Sequence, residues 1–169
     1  MTATPADTKA KPQLKIRWMI RCDMEEVLDI ERLCFDSPWS EGDFVAALRQ
    51  RNCIGMVAEV GEKKNRQILG YMLYESYKNS IDLTNLAVES STWRRGVGRA
   101  LIENLIAKLS PRRRRQVTTM VRESNTGGQE FFAALGFKAI SVMRRPYDEI
   151  SEDAIHFRFL REERRAGGK

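Results

Sequence analysis

The chain has 169 residues, 42% of them apolar and 31% charged, which suits one domain with a core that needs no staples. No run approaches the roughly 20 apolar residues of a membrane span, and residues 1–11 lack the apolar stretch of an export signal, so a cytoplasmic protein is expected. The net charge of +6 points to anionic partners, either a nucleic acid or a phosphate-bearing small molecule.

Cys22, Cys34 and Cys53 form no CxxC pair, and His156 is the single histidine, so no zinc-ligand spacing exists. Buried, reduced thiols are expected. One histidine also argues against a Ser-His-Asp nucleophile.

Residues 1–13 read as a flexible lead-in, 14–161 as one domain and 162–169 as a basic tail. Alternation over 15–21 predicts a first strand. Asp23, with Glu26 three residues on, predicts a capping box for a helix whose apolar face is Val27, Leu28, Ile30, Leu33 and Cys34. Ser37-Pro38-Trp39 ends that helix. Ser40, with Asp43, opens a second one that turns Phe44, Ala47 and Leu48 inward.

Runs 54–60 and 68–77 read as strands of a hairpin joined by the polar segment 61–66, and 81–88 reads as a third strand. An apolar helix is expected at 97–109, a strand at 117–121, and a helix at 125–135 stopped by Gly136. Strands at 137–143 and 154–160 complete the order β-α-α-β-β-β-α-β-α-β-β, an α/β chain on a mixed sheet. Positive charge gathers in Arg112-Arg113-Arg114-Arg115 and after residue 160. No aromatics interleave with it, so direct nucleic-acid binding is not expected.

The most informative stretch is 83–100, where an apolar strand, a polar loop and Arg94-Arg95-Gly96-Val97-Gly98-Arg99 open a helix. Free backbone N–H groups and the helix dipole attract phosphate there, and glycine lets a ligand approach the chain. The loop is no Walker A motif, and Ile102 breaks a GxGxxG pattern. A glycine pair of this kind also occurs where helices pack closely.

Four ordered segments raise the specificity. Asn85-Leu86-Ala87-Val88 with residues 94–101 resembles the acetyl-CoA strand and pyrophosphate loop of the GCN5-related (GNAT) acetyltransferases. Asn125 followed by Phe131-Phe132-Ala133-Ala134-Leu135-Gly136-Phe137 resembles their SN…LYxxxGF signature. Pro38-Trp39-Ser40-Glu41 and Glu152-Asp153-Ala154-Ile155 resemble segments of the RimI-like branch, which acetylates the N-terminal alanine of ribosomal proteins. The resemblance implies a GNAT fold, a single mixed, mostly antiparallel sheet flanked by helices, with acetyl-CoA as co-substrate.

It also implies roles. Leu86, Ala87 and Val88 would lie along the pantetheine arm, with Leu86 and Val88 offering backbone groups. Arg94, Arg95, Gly96, Val97, Gly98 and Arg99 would surround the pyrophosphate. Asn125 would bond the cofactor arm, and Phe132 would lie near its sulfur. The family transfers acetyl by direct attack of an amine, which must first lose a proton.

Three positions depart from the pattern. Trp93 stands where the family has Gln or Arg, Met120 replaces the glutamate base, and Phe132 replaces the tyrosine acid. Losing such a group costs about 10²–10⁴-fold, not all of catalysis. Asp82 is the expected replacement base, ahead of Glu75 and Glu123, and Tyr147 resembles an aromatic substrate-gate residue that positions the peptide or donates to the sulfur. The expected acceptor is a protein N-terminus, as of a ribosomal protein, met by Asp36, Glu41, Asp43, Asp148 and Glu149. A small amine, a lysine side chain, or a catalytically weak acetyl-CoA binder are the other readings.

Overall fold

The computed structural model describes residues 12–146 and 151–162. Seven strands form one sheet in the order β1-β2-β3-β4-β5-β7-β6, where β1 is Lys15–Trp18, β2 Cys53–Val60, β3 Gln67–Ser76, β4 Ser80–Val88, β5 Gln116–Arg122, β6 Lys138–Met143 and β7 Ala154–Leu160. Only β4 and β5 run parallel, because the helix α3 (Val97–Ile106) carries the chain between them. The element order is the one read from the sequence. The expected hairpin connection at 61–66 contains a 3-10 turn at Lys63–Asn65.

Helices α1 (Met24–Cys34) and α2 (Glu41–Leu48) cover one face of β2 to β4, burying Val27, Ile30 and Phe44 against Val57, Tyr71 and Leu73. Helices α3 and α4 (Thr126–Ala134) cover the other face, with Leu101, Ile102, Leu105 and Phe132 against Met72, Leu83 and Val117. Strand β3 is therefore buried on both sides, which explains its unbroken apolar run from Ile68 to Tyr74. Ser40 and Asp43 form the expected capping box of α2, and Gly136 follows α4 at φ +90°.

Asp23 does not cap α1, contrary to expectation. Its carboxylate, wholly buried, turns back to accept from the Ile20 N–H at 2.8 Å and from Arg17 at 2.8 and 2.9 Å, with Arg66 at 3.3 Å. Glu26 is drawn off as well, accepting the Ile68 N–H at 3.0 Å and so tying α1 to β3. The 3-10 turn Arg21–Asp23 that makes this possible shortens β1 to Lys15–Trp18. Cys22, Cys34 and Cys53 are free thiols, but they are not buried as expected: Cys22 is exposed and the other two are half-buried.

Arg17 and Arg66 also hold Glu59, at 2.8 and 3.5 Å. Burial pushes the Asp23 carboxyl up, but the Arg17 bonds, the Ile20 N–H and the charges of both arginines outweigh it and hold it below its ordinary value. The Arg17 bond likewise lowers Glu59. Both groups therefore add stability that is nearly complete above about pH 5 and fades as the pH falls through their lowered values. Asp23→Asn is expected to cost about 3 kcal/mol at pH 7, measured as a urea midpoint, and the gap to the parent protein should narrow in acid.

Candidate active site

The parallel ladder between β4 and β5 runs from Ser80↔Gln116 to Leu83↔Thr119 and stops. Beyond it β4 pairs only with β3, and β5 only with β7, so the two strands open a gap. Thr84 is a bulge at this point, since Leu73 registers with Asn85 but Tyr74 with Leu83. The Thr119 hydroxyl closes the ladder by donating to Leu83 O at 3.0 Å.

The backbone along the gap is ordered by alternation. Glu89 N–H donates to Leu69 O at 2.7 Å, so Ala87 bonds across to Tyr71, while Leu86 and Val88 turn their N–H and C=O groups toward the gap. The Val88 carbonyl is already taken, by the Trp93 indole N–H at 2.8 Å and the Cys34 thiol at 3.3 Å. Both backbone groups of Leu86 and the Val88 N–H remain for a ligand laid along the strand. Ala87 instead pairs with β3 and buries its methyl toward α1.

At the end of the gap the chain turns through Arg94, at φ +64°, and Gly96, at φ +83°, into α3. Among the described residues no acceptor takes the N–H groups of Arg94, Gly96, Val97, Gly98 or Arg99, whereas Arg95 N–H donates to Thr92 O at 3.1 Å. A side chain at Gly96 would meet nothing within 4 Å, so that helix start is open. Free N–H groups, the dipole of a ten-residue helix and the exposed Arg94, Arg95 and Arg99 fit a pyrophosphate. Gly98 has a different reason: a Cβ there would stand 3.2 Å from the Phe131 ring, so it permits α3 to approach α4. Trp93 is 60% exposed yet its indole fastens this loop to β4.

Asn125 caps α4 by accepting the Gly128 N–H at 2.9 Å, which leaves its amide donor available. Phe132 is buried, edge-on to Phe131 and Phe137 with centroids 5.1 Å apart. Its ring donates no proton.

On the opposite face lies a cleft of about 370 Å³ lined by Trp39, Ala47, Gln50, Glu75, Asp82 and Met120, among others. Asp82 registers with Glu75 on β3 and Thr118 on β5, so the three side chains share one row and one face. Burial pushes the Asp82 carboxyl up; the Thr118 hydroxyl, donating at 2.9 Å, lowers it, Glu75 raises it, and the His156 charge lowers it, with a net rise. Tyr147 and the acidic pair Asp148 and Glu149 lie outside the described residues. Glu123 lies at the turn after β5, exposed, and is not among the residues lining the cleft.

Two residues escaped the sequence reading. His156 registers directly opposite Met120 on the cleft face, with Nδ1 3.5 Å from the Ser141 hydroxyl. Glu31, 1% exposed, accepts the Trp39 N–H at 2.8 Å, the Asn85 amide at 3.2 Å and the Tyr71 hydroxyl. Burial, followed by this carboxylate, pushes the Tyr71 phenol far up, so it stays a donor. The signal for Glu31 was available: with Val27, Ile30 and Cys34 it occupies the i, i+3, i+4, i+7 stripe of α1.

A family model described as Acetyltransferase (GNAT) family matches residues 24–137. The chain belongs to the GNAT acetyltransferase family. It is 30% identical to the [ribosomal protein bS18]-alanine N-acetyltransferase of Escherichia coli (strain K12) over 79% of this chain and 88% of that one. The crystal structure of the Escherichia coli ribosomal-protein-S18-alanine N-acetyltransferase superposes with TM-score 0.75 at 23% identity, covering 93% of this chain and all of that one. Arabidopsis thaliana NAA60, solved in complex with acetyl-CoA, gives TM-score 0.75 at 15% identity over 88% and 98% of the two chains. GNAT enzymes use acetyl-CoA, and a mixed seven-stranded sheet with helices on both faces is their fold. Among the described residues no helix is long and apolar enough to cross a membrane.

Glu31→Ala would strand three donors, the half-buried Trp39 N–H and the buried Asn85 amide and Tyr71 hydroxyl. A loss of about 3 kcal/mol in the urea midpoint is expected, with Glu31→Gln losing less because it still accepts one or two of them.

Proposed function

We propose that this GNAT enzyme acetylates the N-terminal α-amine of a protein, such as an alanine-starting, basic ribosomal protein. The relatives named for bS18 alanine support this reading, as does a cleft whose lining includes the carboxylates Glu75 and Asp82. The observation that carries it is geometric: the strand gap on one side and the acidic cleft on the other meet where the β4–β5 ladder ends.

Acetyl-CoA supplies the acyl group as a thioester. Leu86 and the Val88 N–H would hold its pantetheine arm, Asn125 would bond that arm through its free amide, and the N–H groups at 96–99 with Arg94, Arg95 and Arg99 would hold the pyrophosphate. Phe132 and its aromatic neighbours would wall off the buried side from water.

Asp82 takes the proton from the incoming ammonium, directly or through one water, and Glu75 adds negative charge that draws the cation in. A raised carboxyl pKa suits that task, since it lies nearer the working pH. Tyr147, beyond the described residues, remains the expected aromatic at the acceptor gate, there to position the peptide or to donate to the departing sulfur.

Thiol release from acetyl-CoA with an alanine-starting basic peptide, beside the same peptide with its α-amine blocked, tests the acceptor. Release only with the free terminus is expected; equal release with both would assign a lysine side chain instead, and release with neither would point to a different acceptor or a catalytically silent acetyl-CoA binder. Asp82→Asn should lower kcat by about 10²–10⁴-fold while leaving acetyl-CoA binding intact. Thr118→Val removes a lowering influence on Asp82, so the acid limb of the rate profile should move to higher pH. Glu75 and His156, the other groups acting on Asp82, stay in place as the reference.

A further inference from the structure

Beyond the cleft, the face of the sheet that carries Asp82 continues onto β5, β7 and β6. Helices α1 and α2 lie over β2 to β4 on this side, and α3 and α4 lie on the other, so the described residues place no helix over the last three strands here. Register fixes which side chains stand on that open face. Asp82, Thr118, Arg158 and Lys138 form one row across β4, β5, β7 and β6. Met120, His156 and Ser141 form the next. Phe157 and Phe159, which alternate with Arg158 along β7, turn to the opposite face and join the core under α3 and α4.

The charge changes sign along the row. Glu75 and Asp82 stand at the cleft end, whereas Arg158, Lys138, His156 and Ser141 make a two-by-two block on β7 and β6. The Ser141 hydroxyl lies 3.5 Å from His156 Nδ1, so these two side chains meet on the open face. Arg158 and His156 are half-buried, Lys138 and Ser141 exposed. The ion pairs among the described residues engage neither Arg158 nor Lys138. The acids at the start of β7 are occupied elsewhere: Glu152 accepts the Ser124 N–H, and Asp153 accepts the Arg145 N–H at 3.1 Å. Glu75 and His156 are the charges that act on Asp82, and Arg158 is not one of them.

Cations on a surface would by themselves take any anion. The reaction adds a second requirement, because the ligand must also place an amine at Asp82. Adjacent strands lie about 4.8 Å apart, which puts Arg158 roughly 10 Å from Asp82 along the row. An extended peptide advances about 3.3 Å per residue, so its third Cα lies roughly 7 Å from its first, and an acidic side chain spans the remainder. A lysine at that place would meet Arg158 and Lys138 as like charges. A polyanion with no amine would fill the block and leave the cleft empty.

We propose that this block is a specificity subsite for the acetyl acceptor, in which Arg158, with Lys138, His156 and Ser141 around it, binds the carboxylate of an acidic side chain at the acceptor's second or third residue. The inference rests on the N-terminal reading and adds to it the residue that follows the first. A basic protein whose opening residues include one acid satisfies both. The carboxylate is held alike before and during attack by the amine, so the subsite acts through KM and leaves kcat unchanged.

Acetyl transfer to a set of alanine-starting peptides tests it. All share one basic C-terminal half and differ only at their second and third positions, which carry glutamate, glutamine or lysine. The parent should use the glutamate peptides with kcat/KM at least about fivefold above the lysine peptides, the difference lying in KM. Arg158→Gln should bring that ratio below about two, and Arg158→Glu should reverse the order. Both variants should keep the parent unfolding midpoint, since the guanidinium bonds nothing among the described residues. Arg113→Glu, the same charge change on the exposed connection from α3 to β5, should keep the parent's order. The preference should shrink as salt rises from about 0.05 to 0.5 M. Equal use of the three peptide types by the parent, or a glutamate preference that survives in Arg158→Glu, would overturn the inference and leave N-terminal acetylation standing. Release with no peptide, or equal release once the α-amine is blocked, would remove the N-terminal reading and the subsite with it.

Discussion

The point at which β4 and β5 stop pairing governs the rest of the molecule. Thr84 bulges out one residue past the last pair, and that single extra residue inverts the parity of β4. Before it, Ile81 and Leu83 face α3; after it, Asn85 and Ala87 face α1. Asp82 thus shares a face with Asn85, not with Leu86 and Val88. Without the bulge, Asp82, Leu86 and Val88 would all project to the same side. The strand therefore offers backbone groups to one ligand at its edge while it carries a carboxylate toward another ligand on the α2 face. Two substrates can meet across one strand without competing for its surface.

Glu31 links the same two regions from inside. Its carboxylate bonds the loop that carries Trp39 over the cleft and the amide of Asn85 in the strand that borders the gap. A buried carboxyl group that holds three donors and, among the described residues, no cation is costly to disturb, because each donor would otherwise lose its own partner. The Trp39 loop and β4 are thereby fixed relative to each other. Trp39 and Phe44 stack edge-on at 5.3 Å, and Phe44 meets Tyr71 at 5.6 Å, so the polar hub is roofed by aromatic packing. That packing excludes water from bonds that would weaken if it entered.

Local chemistry was legible in the sequence wherever no distant partner intervened. Ser40 and Asp43 compete with nothing and form their box; Asp23 and Glu26 are taken by Arg17, Arg66 and the Ile68 N–H, none of which a local pattern can foresee. The glycine pair split for a similar reason. Gly96 is open, as a ligand site requires, whereas Gly98 answers to Phe131, a residue 33 positions away that only the α3–α4 approach brings close. The Asp82–Thr118 bond was hidden because parallel register across a helical crossover leaves no sequence period. Motif order, by contrast, survives distance, and four short segments in sequence were enough to place the family that residues 24–137 match.

Met120 and Phe132 stand where the family resemblance implies two proton-transfer groups, yet the surroundings of Met120 change what that substitution would mean. Its side chain lines the same cleft as Asp82 and adds apolar surface where a carboxylate would have held water. Burial is the largest influence raising the Asp82 carboxyl, so apolar neighbours move the proposed base toward the pH at which it is useful. Thr118 works against that drift by donating to the ionised form, keeping a fraction of the carboxylate ready to accept a proton. Phe132 is compensated differently. Its ring completes an aromatic cluster with Phe131, Phe137 and Phe157, which a phenol could join only by burying its hydroxyl. A family member with its proposed base on β4 and a dry α4 position would rely more on holding the two substrates in place than on proton donation. The braced Trp39 loop and the Trp93 latch on Val88 are the parts of this chain suited to that strategy.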